Sequence, residues 1–225
     1  LNKTRWFYNG CDYADLKYLV DTFSGEYDRI YLVSFSLGGA ITANYLGREA
    51  RDCNPKVKGA FLVSPPLELD TFHQSMRAPM NHLLYHRRLV RSLLEKFRKK
   101  AYAIDFGENI CIDRVKSAKT VDQIEEYLFA PLHGYQSARD YRAKAAALPY
   151  LHNIEAPLYI LAARDDPFLD AQSLPFALAR RRKNIYLELA PHGGHTGFAR
   201  AKKDVYRWYE RRCLWFFKQV CTETA

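Results

Sequence analysis

Six residues, Ser34-Phe35-Ser36-Leu37-Gly38-Gly39, constrain the fold of this chain more than any other segment. They close a short apolar run over 29–35 that suits a buried strand, and they open a segment over 37–51 rich in Ala, Leu and Gly that reads as a helix. A serine on so tight a strand-to-helix turn is held in a strained conformation with its hydroxyl projecting above the sheet. Small residues are expected two places before and two places after it, because neighbouring backbone comes close there. Those places hold Ser34 and Gly38, with serine standing where the first glycine is usual.

Around this turn the chain alternates strand-like and helix-like segments, the pattern of a parallel sheet with helices on its faces. Residues 12–23 read as a helix capped by Asp12, 57–64 as a strand closed by Pro65-Pro66, 157–163 and 184–189 as further strands, and 171–182 and 199–220 as helices. Between them, 67–150 is helical in character and more basic. Within it, 82–102 is an amphipathic helix that sets Leu83, Leu89, Val90, Leu93, Leu94 and Phe97 against a strongly basic face. The expected organisation is a core over 1–66, a helical cap insertion over 67–150, and a return to the core over 151–225.

A serine hydroxyl needs a base to take its proton and a third group to orient that base. Candidates follow Ser36 in the chain order of nucleophile, acid and base. Asp165-Asp166-Pro167-Phe168 stands just beyond the strand at 157–163, and Pro191-His192-Gly193-Gly194-His195 just beyond the last strand. Asp165 and Asp166 compete for the acid, and His192 and His195 for the base. The backbone N–H of Leu37, directly after the serine, is the expected oxyanion donor.

These strings, with Arg5-Trp6-Phe7-Tyr8-Asn9-Gly10 near the start, His133-Gly134-Tyr135, Leu148-Pro149-Tyr150-Leu151 and Gly193-Gly194-His195-Thr196-Gly197-Phe198, occur in an order that resembles the YheT-like branch of the α/β-hydrolases. That group contains bacterial carboxylesterases and related eukaryotic lipid hydrolases. The resemblance covers essentially the whole chain. It implies an α/β-hydrolase fold with a helical cap, and a serine esterase that forms an acyl-enzyme on Ser36. It assigns the base to His195 and the acid to Asp166, the residue just before the proline, with Asp165 as runner-up. No metal or organic cofactor is implied, and the expected substrate is a small-molecule or lipid ester.

The resemblance also carries a departure. Relatives begin with further strands and an early His-Gly loop that supplies half of the oxyanion hole, and no His-Gly precedes Ser36 here. With Leu1 in place of Met, this favours an amino-terminally incomplete piece lacking part of the sheet, a weak catalyst or none by itself. The competing expectation is a non-catalytic binding protein on the same fold.

A net charge of +9 favours contact with anionic partners. The basic helix suits peripheral contact with an anionic membrane surface, whereas the Arg180–Lys183 cluster is read as a solvated turn and no nucleic-acid partner is expected. Five scattered cysteines without a Cys-x-x-Cys pair argue against a zinc site or a disulfide framework. With no apolar run of spanning length, they point to a cytoplasmic location.

Overall fold

In the computed structural model, which describes residues 2–198 and 207–222, four strands form one parallel sheet. Strand β1 is Ile30–Phe35, β2 Val57–Val63, β3 Leu158–Ala163 and β4 Ile185–Ala190, adjacent in that order. A single row crosses the sheet from Ser34 to Leu62, Ile160 and Leu187. The two middle strands are buried along almost their whole length, which is why they read as unbroken apolar runs rather than as alternating ones.

Side chains of the middle strands alternate between two cores. On one face Ala60, Leu62, Leu158 and Ile160 pack with Val20 of helix α1 (Ala14–Phe23) and with Ala43, Tyr45 and Leu46 of α2 (Leu37–Glu49). On the other, Phe61, Val63, Tyr159 and Leu161 pack with Cys213, Phe216 and Val220 of the helix Trp208–Thr222. Truncating a fully buried aromatic such as Phe61 to Ala would cost about 3–5 kcal/mol.

The differences from the sequence expectations lie at element ends and within two of the expected helices, those over 82–102 and 171–182. No side chain caps α1, which begins after Tyr13 rather than on an Asp12 cap. Ser64 leaves β2 because its φ of 49° is outside the extended range. The helix expected over 171–182 divides into a 3-10 turn, Ala171–Ser173, and a helix, Phe176–Arg181. Pro175 causes the division, since its missing N–H and fixed φ suit a helix start rather than an interior. Of the helix expected over 199–220, residues 199–206 lie outside the described residues.

The chain divides into two compact units, Leu1–Asn9 with Leu69–Ala145, and Gly10–Glu68 with Ala146–Ala225. The second contains the sheet. The first is helical, and its core includes Phe7, Phe97, Phe106 and Phe129. Lys100 is buried there, its ammonium donating to the Trp6 carbonyl at 2.6 Å and lying 4.4 Å from the Phe7 ring centre. Burial holds its pKa below the usual lysine value. Among the described residues no helix is long and apolar enough to cross a membrane.

Candidate active site

Parallel strands place all their carboxyl ends at one edge, and in open α/β sheets that edge is where functional groups gather. Ser36 follows β1 directly. Its φ of 49° and ψ of −125° are strained for a residue with a side chain. The turn is held by Ser36 N–H donating to the Val63 carbonyl at 2.9 Å, and by Gly39 N–H donating back to the Ser36 carbonyl at 2.8 Å.

The close approach that demands a glycine lies one residue later than expected. A Cβ on Gly38 would sit 4.0 Å from the Ser34 Cβ, an ordinary contact, whereas a Cβ on Gly39 would come within 2.8 Å of Pro65. Ser34 is accommodated because its hydroxyl bonds that of Thr42 on α2 at 2.6 Å. Leu37 is the first residue of α2, whose opening N–H groups have no intrahelical acceptor.

Asp166 lies just beyond β3 and His195 just beyond β4. The Asp166 carboxylate is fully buried, and the His195 side chain is 18% exposed. His195 Nδ1 is 2.9 Å from Asp166 Oδ2 and 3.1 Å from Oδ1, and Nε2 is 2.7 Å from Ser36 Oγ. A carboxylate only accepts, so it fixes the imidazole proton on Nδ1 and leaves the Nε2 lone pair to accept the serine O–H. Asp166 Oδ1 also accepts the Phe168 N–H at 2.8 Å, and the Phe168 ring meets the imidazole edge to face at 4.5 Å. Phe168 thus restrains both members of the pair, the carboxylate through its backbone and the imidazole through its ring.

Both alternatives raised by the sequence fall elsewhere. Asp165 Oδ1 accepts the Gly193 and Gly194 N–H groups at 2.9 and 2.8 Å. Those donors, Gly194 foremost, hold its carboxyl below the usual aspartate range. His192 is 90% exposed, with Nδ1 3.6 Å from Asp165 and not beside the serine. Adjacent carboxylates point opposite ways, so one grips the loop backbone while the other reaches its imidazole. The loop closes on Phe198, whose N–H donates to the Gly193 carbonyl at 2.8 Å. A Cβ on Gly193 would lie 2.5 Å from the Phe198 ring, so only glycine fits there. Phe168, Gly193 and Phe198 stood in the motif strings without a role, because strings do not reveal ring contacts.

The chain is similar to the YheT protein of Escherichia coli (strain K12), 32% identical over 166 residues, which is 74% of this chain and 48% of that one. It is similar also to a monoacylglycerol lipase of Saccharomyces cerevisiae, 28% identical over 221 residues, covering 96% of this chain and 48% of that one. It spans about half the length of these curated relatives. Among solved structures, an esterase of Pyrococcus furiosus shares the fold with a TM-score of 0.55 at 16% identity, over 93% of this chain and 62% of that one. The model of the alpha/beta hydrolase family matches residues 8–208, a span that takes in the strained serine turn and both loops that meet it. The chain belongs to the alpha/beta hydrolase family.

Proposed function

We propose that this chain carries the catalytic centre of a carboxylic ester hydrolase that works through an acyl-enzyme on Ser36. The observation that carries the reading is the continuous path from Asp166 through His195 to the Ser36 hydroxyl, with both imidazole nitrogens within 3 Å of their partners. His195 Nε2 takes the serine proton as Oγ attacks the ester carbonyl carbon. The tetrahedral oxyanion receives the Leu37 N–H, a contact of a kind worth about 2.7–4 kcal/mol. Collapse breaks the ester bond, and the imidazolium returns its proton to the leaving alcohol. Water then attacks the acyl carbon with Nε2 as base, and the carboxylic acid leaves as Ser36 Oγ regains the proton. Asp166 stays ionised throughout and stabilises the imidazolium. Asp165 acts at one remove, as a positioning residue that holds the loop delivering His195.

The name of the yeast relative supports a lipid ester, such as an acylglycerol, as substrate class. The test is labelling with a fluorophosphonate probe, followed by turnover of short p-nitrophenyl esters and of long-chain monoacylglycerols. Labelling is expected in the parent and absent in Ser36→Ala. Equal labelling of the two would overturn the assignment, and turnover of short esters alone would overturn the substrate class.

A further inference from the structure

The apolar stripe of the basic amphipathic segment is already occupied. Val90, Leu94 and Phe97 of the helix Arg87–Ala101 are buried in the helical unit, Phe97 against Phe106 at 5.2 Å, so this stripe is not available to lipid. Simple helical spacing would extend the stripe back from Phe97 and Val90 to Leu83. The structure instead inserts a π-helical turn, His82–His86, ahead of the helix. A π turn holds one residue more than an α turn and rotates what precedes it by roughly 100°. His86, four residues before Val90, stays inward as regular spacing requires, while Leu83, on the far side of the extra residue, is turned out.

The result is an exposed apolar tip on a basic shaft. Met80, Leu83 and Leu84 are 65%, 57% and 51% exposed, at the i, i+3 and i+4 spacing of one helical face. Beyond them, Arg87, Arg88, Arg91, Lys96, Arg98 and Lys99 are exposed, against a single acid, Glu95. We propose that this tip and shaft form a docking site for an anionic lipid surface. Met80, Leu83 and Leu84 enter the boundary between headgroups and acyl chains, and the arginines that follow lie among the lipid phosphates. Three large apolar side chains in water are a standing free-energy cost that the acyl boundary relieves. The adjoining guanidinium groups keep their heads at the phosphate level while their stems lie along the apolar surface. A polyanion such as nucleic acid would satisfy the shaft and leave the tip in water.

The test is flotation of the full chain with phosphatidylcholine vesicles, with and without phosphatidylglycerol. Partitioning into the anionic vesicles is expected to exceed that into neutral ones by about tenfold, and the excess should fall as salt is raised. Leu83→Asp with Leu84→Asp should lower it by about tenfold at an unchanged melting temperature, and the milder pair Leu83→Gln with Leu84→Gln by less. Arg87→Glu with Arg88→Glu should remove the preference for phosphatidylglycerol. Equal binding to both vesicle types, or Asp variants that bind as the parent does, would overturn the proposal. So would a parent that ignores vesicles but self-associates through the same leucines. The reading of Ser36 is separable, since vesicle binding without fluorophosphonate labelling would remove the hydrolase and leave the docking site.

Discussion

Among the described residues two histidines stand within 3 Å of a carboxylate, His195 and His73, and only His195 meets a serine hydroxyl with its other nitrogen. In the sheet unit, Asp166 engages one nitrogen of His195 and Ser36 the other. In the helical unit, His73 Nε2 is 2.9 Å from Glu125 and Nδ1 is 3.4 Å from Asp122, so acids engage both nitrogens. Arg142 completes that cluster, donating to Asp70 at 2.7 Å, Glu125 at 2.8 Å and Asp122 at 3.1 Å. The difference is one of occupancy. With an acid facing each nitrogen, the His73 ring has no side left open to a hydroxyl, and its network ties Leu69–Arg77, Glu125–Phe129 and Ala138–Ala145 together. An imidazole with one acid has a base to spare.

The largest effect that could break this contrast comes from Asp166→Asn. The amide lets the ring adopt the wrong tautomer, and kcat should fall by about 10⁴ while the fold persists. A loss of less than tenfold in ester turnover would remove the distinction between the two pairs.

Next in size is Arg142→Ala, which leaves the buried Glu125 carboxylate without its guanidinium. Denaturant titration should show a loss of about 3–5 kcal/mol. Fluorophosphonate labelling of the folded fraction should not change, because nothing in that cluster touches Ser36.

Asp165 gives a smaller and sharper test. Removing its oxygens in Asp165→Ala frees two loop N–H groups, and kcat should drop by about 10–100-fold with KM little altered. Asp165→Asn keeps an acceptor and should restore most of the rate. If Asn is as poor as Ala, the charge of Asp165 matters and its role as a backbone anchor is wrong.

The smallest effect concerns His86, whose Nε2 accepts the Val121 N–H at 3.3 Å and can do so only while neutral. Burial foremost, and then the stacked His82, hold its pKa below the ordinary 6.5, with Asp122 opposing and His73 assisting. The unfolded chain therefore takes up its proton at higher pH than the folded one. The stability His86 contributes is present above 6.5 and lost as the pH falls through its lower folded value. Urea midpoints measured from about pH 7 to about pH 5 should fall more steeply in the parent than in His86→Gln.

Much of this was legible in the order of residues. The strands were found within a residue of their ends because buried parallel strands must be apolar throughout, and Leu158–Ala163 could serve little else. Ser36 and its helix were legible because a turn that tight needs small residues. Helix starts were less legible where no side chain caps the first turn, as after Tyr13 and Pro175.

Local sequence by itself determined the parallel sheet, the strained serine turn and the short set of acid and imidazole candidates beside it. It could not choose between Asp165 and Asp166, or between His192 and His195. Neighbours in a loop share composition and differ only in direction, and direction is set by what lies across space. Only the tertiary structure turned Asp165 toward the Gly193 and Gly194 amides and Asp166 toward the imidazole. In the same way it turned Leu83 outward, since one extra residue in a helical turn changes which face every earlier side chain occupies.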